Sequence, residues 1–176
     1  LEAAAGMGNT DYRHCLCFHS LSKRSNLPGL RSGFVAGDPH WIEQFRRYRT
    51  YHGCAMPPHH QIASEWAWSD ELHVLDNRAR YREKFAAVTP ILTQVLATPS
   101  PDAGFYLWPE TPIDDETFAQ RLLQHAGVKV LPGRYLARDT AAGNPGAHRA
   151  RLALVAELAQ CVEAAERIAH FVKSGG

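Results

Sequence analysis

A lysine, an arginine and two hydroxyl groups occur together in one short polar stretch, residues 20–33. Lys23 stands at the end of a strand-like apolar run with Ser20 and Ser22 just before it, and Arg31 follows. Hydroxyls and a guanidinium hold a phosphate through charge-assisted hydrogen bonds, and the planar guanidinium fork meets two oxygens at once. The spacing therefore allows an amine beside an anion-binding pocket, although a lysine in a polar loop is more often only solvated.

An amine beside a phosphate pocket is what pyridoxal 5'-phosphate requires, because its aldehyde forms a Schiff base with the amine. Residues 20–33 closely resemble the cofactor-lysine motif of the class I and II aminotransferases. That motif reads Ser-x-[Ser/Ala/Thr]-Lys, then a short loop often containing Pro-Gly, then Arg-x-Gly. The resemblance implies that Lys23 is the Schiff-base lysine and that Ser20, Ser22 and Arg31 bind the cofactor phosphate.

Three later segments resemble the same family in the same order. Residues 104–108 (GFYLW) are similar to its Gly-[Ala/Gly]-Phe-Tyr strand, and residues 130–133 (VLPG) to its Val-x-Pro-Gly turn. Residues 151–154 (RLAL) resemble the strand whose arginine holds the substrate α-carboxylate. The resemblance implies that Arg151 binds this carboxylate, with Arg149, two positions earlier on the same face, as the competitor for the role.

The resemblance implies transamination of amino-acid and keto-acid substrates by a homodimer. Residues 18–38 and 130–138 are similar to the N-succinyldiaminopimelate aminotransferase subgroup. That likeness implies N-succinyl-2-amino-6-ketopimelate as substrate and glutamate as amino donor, in lysine and diaminopimelate biosynthesis. The alternatives are another class I aminotransferase, of aspartate, aromatic or kynurenine type, and a non-catalytic aminotransferase-like module.

The resemblance also implies an α/β fold, the C-terminal portion of the fold type I pyridoxal-phosphate transferases. Residues 1–73 would form the end of the large-domain sheet, and residues 74–176 a linking helix and the small α/β domain. Only 22 residues precede Lys23. The family's acidic partner of the pyridine nitrogen, its ring-stacking aromatic and its glycine-rich phosphate loop all come earlier. We therefore expect the chain to be a fragment that, alone, binds the cofactor poorly and turns over little.

Composition and charge narrow the possible partners. The chain has 176 residues, of which 45% are hydrophobic and 21% charged, an ordinary globular balance. Its 19 basic and 18 acidic residues leave a net charge of +1, which disfavours nucleic acid and anionic membranes. No apolar run approaches the length of about 18 residues that a bilayer span needs, and we expect a cytoplasmic protein.

Scattered cysteines and histidines argue against a metal site. The spacings of the four cysteines match no zinc or disulfide framework, so we expect reduced thiols and assign no metal. The aromatic residues of the first half suit either a dimer interface or core packing. They are Tyr48, Tyr51, Trp66 and Trp68.

Hydrophobic periodicity and breakers predict the elements that must position these groups. Strands are predicted at 15–18, 33–37, 104–108, 128–131 and 152–156. Helices are predicted at the start of the chain up to Gly6, after Asp38, after Pro57-Pro58, from Ser69 through Leu96, from Asp114 or Asp115, and from Leu158 to Val172.

Overall fold

The computed structural model describes residues 1–53 and 55–175, which divide into two compact units, Leu1–Arg78 and Ala79–Gly176. We call these unit 1 and unit 2. Cys54 and Gly176 lie outside the described residues, and Cys15, Cys17 and Cys161 are free thiols. The assignment of residues 1–73 and 74–176 to the family's two domains stays a prediction.

Unit 1 is built on an antiparallel hairpin followed by helices. Its elements are α1 (Glu2–Gly6), β1 (Leu16–Ser20), α2 (Leu21–Arg24), a 3-10 turn (Pro28–Leu30), β2 (Gly33–Gly37), α3 (Pro39–Arg49), α4 (Pro58–Ser69) and the start of α5 (Leu72–Leu92).

Glycines allow the two strands of the hairpin to pair closely. The register joins Ser20 to Gly33 and Leu16 to Gly37. A Cβ atom on Gly33 would lie 2.5 Å from the His19 carbonyl oxygen, closer than real Cβ contacts come. Gly33 is therefore required for the close approach of the two strands at the end of the hairpin that carries Ser20.

Asp38 caps helix α3 as its residue type predicts. One carboxylate oxygen accepts the backbone N–H of His40 at 2.9 Å, and the other accepts that of His14 at 2.8 Å. Pro39, which has no N–H to satisfy, occupies the first turn. The cap thus fixes both the start of α3 and the polar turn that leads into β1.

Unit 2 is a small α/β layer structure with its own core. It contains the remainder of α5, then β3 (Tyr106–Leu107), α6 (Asp115–Ala126), β4 (Leu131–Pro132), a 3-10 turn (Gly133–Leu136), β5 (Ala150–Ala153) and α7 (Leu158–Lys173). The strands form an antiparallel sheet in the order β3-β5-β4. Buried apolar side chains of α5, α6, α7 and the sheet form the core, including Leu92, Leu107, Phe118, Leu122, Leu152, Ile168 and Phe171.

The elements of unit 2 differ from prediction mainly in strand length. The predicted strand at 128–131 is paired only at Leu131–Pro132, while Val128 and Val130 pack against the core outside any ladder. The strand predicted at 152–156 lies instead at Ala150–Ala153. Helix α5 ends at Leu92 rather than continuing through Leu96.

Candidate functional site

Ser20 and Lys23 lie at one end of the two-stranded β1–β2 sheet of unit 1. Strand β1 ends at Ser20, and the chain turns at once into the single-turn helix α2, which Ser20 caps by accepting the N–H of Ser22 at 3.2 Å. Leu21 is fully buried and anchors this turn. Its N–H donates to the carbonyl of Ser32 at 3.1 Å, so that the turn is tied to the start of β2.

Lys23 lies on the exposed side of α2, between the buried Leu21 and the anchored Arg24. The side chain of Arg24 is only 15% exposed, and it donates to the carbonyl of Ala67 at 2.8 Å. Its guanidinium also pairs with Glu71 and lies 5.2 Å from the centroid of the Trp68 ring. Arg24 therefore holds the lysine-bearing turn against the end of α4, a role that the sequence analysis missed.

Arg31 lies at the same end of the hairpin as Lys23. It follows the 3-10 turn Pro28–Leu30, which packs against α2. Its backbone is in the left-handed region, with φ 49°, and its guanidinium donates to the carbonyl of Pro28 at 2.9 Å. The next residue is Ser32, the partner of Leu21. The loop geometry thus brings the segment of Arg31 beside the segment of Lys23, with Arg31 exposed to solvent.

Arg151 belongs to unit 2 and lies in β5, the central strand of the sheet. It is paired with Leu131 of β4, and its guanidinium carbon lies 5.8 Å from the centroid of the Tyr106 ring. Arg149, the competing arginine, donates to Glu110 at 2.7 Å and to the carbonyl of Trp108 at 3.4 Å. The guanidinium of Arg149 is therefore already paired with a carboxylate of this chain.

Among the ion pairs described in unit 2, the one between Asp115 and Arg134 is the most buried. The Asp115 side chain is fully buried and accepts the backbone N–H groups of Arg134 at 3.0 Å and His148 at 3.3 Å. Burial raises the pKa of this carboxyl, but hydrogen bonds from Arg134 and from these backbone groups outweigh it, so the pKa lies below its ordinary value. Asp115 thus joins the start of α6 to the 3-10 turn after β4, through Arg134, and to the loop before β5, through His148.

The described residues hold neither a metal cluster nor a membrane span. Within residues 1–53 and 55–175, no group of three or more histidine, cysteine or acidic side chains could hold a metal ion. Across the same residues, no helix combines the length and apolarity needed to cross a bilayer. A cavity of about 330 Å³ lies in unit 2 near Lys129, Glu163 and Arg167 and is lined by none of the predicted site residues.

The fold matches a portion of solved aminotransferase structures. A crystal structure of an aminotransferase from Neisseria meningitidis is 56% identical to this chain with a TM-score of 0.89, and the match covers 97% of this chain and 43% of that one. A probable N-succinyldiaminopimelate aminotransferase from Thermus thermophilus is 29% identical with a TM-score of 0.79, over 92% of this chain and 43% of that one.

The chain belongs to the class I and II aminotransferase family, which it matches over residues 3–168. It is 35% identical over 147 residues to a probable aminotransferase of Mycobacterium tuberculosis, covering 83% of this chain and 34% of that relative. It is 28% identical over 161 residues to an LL-diaminopimelate aminotransferase of Dehalococcoides mccartyi, covering 89% of this chain and 40% of that relative. The chain thus spans between about a third and just under half of the length of these relatives, and the predicted family membership is confirmed.

Proposed function

We propose that this chain carries the cofactor lysine and the substrate-carboxylate arginine of a pyridoxal-phosphate-dependent aminotransferase. The observation that carries the proposal is the end of the β1–β2 hairpin, where the α2 turn with Lys23 packs against the 3-10 turn that leads to Arg31. Membership of the class I and II aminotransferase family supports the same activity.

The donor set at this end of the hairpin fits a cofactor phosphate. Ser20 and Ser22 offer hydroxyls, and Arg31 offers a guanidinium of which one nitrogen is used by the Pro28 carbonyl. Such groups suit a phosphate, which accepts several charge-assisted hydrogen bonds. We propose that these three residues bind the phosphate and that Lys23 binds the aldehyde carbon.

Bound pyridoxal phosphate supplies a reactive aldehyde and an electron-withdrawing ring that stabilises negative charge at the substrate Cα. The Lys23 amine is proposed to move a proton at that Cα as general acid and base. Arg151 is proposed to bind the α-carboxylate through two parallel hydrogen bonds, which orients the Cα–H bond for cleavage.

For substrate, we propose N-succinyl-2-amino-6-ketopimelate with glutamate as amino donor. The name of the Thermus thermophilus neighbour supports the succinylated substrate, and that of the Dehalococcoides mccartyi relative supports a diaminopimelate-type substrate more broadly. We further propose a cytoplasmic homodimer, for which the exposed Tyr48, Tyr51 and Trp66 provide apolar surface. Trp68 packs against Phe34 instead, with ring centroids 4.9 Å apart.

The test measures transamination by the full-length protein that carries this sequence. With glutamate as donor, we expect the succinylated keto acid to be preferred over the keto acids of LL-diaminopimelate, aspartate, aromatic amino acids and kynurenine. Lys23→Ala is expected to lower kcat by roughly 100-fold or more, because general acid–base catalysis contributes at least that much. Lys173→Ala, which alters an exposed lysine at the end of α7, is the matched control.

Each result has a distinct meaning. A preference for another keto acid of the panel would show that the proposed substrate is wrong, while the proposed aminotransferase activity would stand. A Lys23→Ala variant that is as active as the Lys173→Ala control would overturn the proposed role of Lys23.

A further inference from the structure

Arg151 is held by an aromatic ring rather than by a carboxylate. Tyr106 pairs with Ala153 in the antiparallel ladder, which puts its side chain diagonally across from Arg151 on the same face of the sheet. The guanidinium carbon lies 5.8 Å from the centroid of the ring, within the range of a cation–π contact.

The other strongly engaged arginines of unit 2 differ in this respect. Arg149 pairs with Glu110, and Arg134 pairs with Asp114, Asp115 and Glu116. Among the residues that the structure describes, no carboxylate lies within ion-pair distance of Arg151. Its charge is thus not neutralised by a neighbouring side chain of the described chain.

An aromatic partner suits an arginine that must bind an incoming carboxylate. A ring face attracts the guanidinium plane while leaving its N–H edges, which carry the two parallel hydrogen bonds to a carboxylate. An acidic partner would occupy those same edges, and the substrate would have to displace it. The ring therefore orders the side chain without competing with the ligand.

The Tyr106 ring is itself fixed. Its backbone is locked in β3 by pairing to β5, and its ring meets that of Phe105 edge to face, with centroids 5.5 Å apart and an interplanar angle of 88°. The side chain is 40% exposed, so the contact stands at the surface of unit 2.

We propose that Tyr106 is a positioning residue, whose ring holds the Arg151 guanidinium ready for the substrate α-carboxylate. The inference rests on the proposed role of Arg151 in the aminotransferase. It adds the contact that orients the Arg151 side chain before the substrate binds. We expect the hydroxyl of Tyr106 to play no part in this role, because the observed contact joins the guanidinium to the ring.

The kinetic test uses the full-length protein. Tyr106→Leu removes the ring, and we expect the KM for glutamate to rise roughly two- to five-fold, the range that an exposed cation–π contact corresponds to. The kcat is expected to stay nearly unchanged, because the variant keeps Arg151, which still orients the carboxylate once the substrate is bound. Tyr106→Phe keeps the ring and should restore the wild-type KM. Tyr135→Leu, an exposed tyrosine of unit 2 whose hydroxyl bonds to Glu116 instead, is the matched control.

A second measurement tests the positioning role of Tyr106 independently of the proposed aminotransferase activity. The ring current of Tyr106 should shift the Nε–H NMR resonance of Arg151, and Tyr106→Leu should abolish the shift while Tyr106→Phe keeps it. Titration of that resonance with glutamate should give a two- to five-fold weaker Kd in Tyr106→Leu. A protein with these NMR responses but without transamination would overturn the proposed function and leave the positioning role. An unmoved resonance, or an unchanged Kd and KM in Tyr106→Leu, would overturn the positioning role alone.

Discussion

The residue at which burial and charge conflict most is Asp115. Its carboxylate is fully buried, and its hydrogen bonds go to Arg134 and to the backbone N–H of His148. Asp115→Asn should lower the free energy of unfolding of unit 2 by roughly 2–3 kcal/mol, because buried donors lose a charged acceptor. Urea unfolding at pH 7 measures the loss, and Asp102→Asn, which alters an exposed residue, should be neutral.

The effect of Asp115→Asn should depend on pH. The pKa of Asp115 is lower in the folded protein than its ordinary value of 3.8, which applies in the unfolded state. The stabilisation is therefore fully present above the unfolded value and is lost as the pH falls through the lower folded value. Unfolding curves of wild type and variant should converge as the pH drops below about 4. A stability difference that stays constant down to pH 2 would contradict this account of the carboxylate.

Arg24 anchors the turn that carries Lys23, and its substitution tests that role. Arg24→Ala removes the hydrogen bond to Ala67, the ion pair with Glu71 and the stacking on Trp68. We expect faster amide hydrogen exchange in residues 21–25. The free energy of unfolding should fall by about 1.5–3 kcal/mol, as for the loss of a hydrogen bond from a charged group. Arg46→Ala, which breaks an exposed ion pair on α3, should change stability by less than about 0.5 kcal/mol. Equal effects of the two substitutions would refute the anchoring role.

At the scale of elements, the β1–β2 hairpin requires the backbones of its two strands to approach closely at Gly33. Gly33→Ala would bring a Cβ to 2.5 Å from the His19 carbonyl oxygen, and the strands must separate to accommodate it. We expect a cost of roughly 1–3 kcal/mol, as for overpacking, with a weaker pairing of Ser20. Gly29→Ala is the control from the same turn region, because its Cβ would meet nothing within 4 Å. Thermal unfolding of both variants checks the contrast, and a Gly33→Ala variant as stable as Gly29→Ala would contradict it.

The sequence predicts elements whose signals are local and misses those that depend on distant partners. The strand at Gly33–Gly37 and the helix capped by Asp38 follow from glycines and a cap within a few residues. The shift of β5 to Ala150–Ala153 depends on pairing with β3, more than 40 residues earlier. Lys23 and Arg31 carry a recognisable spacing, whereas Arg24 finds its partners 43 to 47 residues away and has no local signature.

At the scale of the whole molecule, the two units differ in how much apolar core they contain. The described apolar core cluster lies between Val88 and Phe171, entirely in unit 2. In unit 1 the buried apolar side chains described are Leu21 and Val74, while Phe18, Trp66 and other apolar groups are exposed. Because burial of apolar surface is the main stabilising contribution, unit 1 is expected to exchange its amide hydrogens faster than unit 2.

The same imbalance governs cofactor binding by the 176-residue chain alone. Lys23 and Arg31 lie in unit 1, and within this chain the proposed cofactor contacts come only from residues 20–31. A pyridoxal phosphate held by so few groups gains little to offset the entropy lost when the cofactor and the exposed Lys23 and Arg31 side chains are ordered. We therefore expect the chain alone to show no absorbance band of a lysine-linked cofactor that borohydride removes.

Mass spectrometry after borohydride reduction makes this expectation quantitative. Pyridoxal phosphate modifies exposed lysines without selectivity, so Lys173 at the end of α7 serves as an internal reference. In the chain alone, Lys23 should be labelled no more than Lys173. In a longer protein that carries this sequence, we expect labelling to concentrate on Lys23, because additional contacts to the cofactor phosphate would hold the cofactor beside this amine. Selective labelling of Lys23 in the chain alone would mean that residues 20–31 suffice to hold the cofactor.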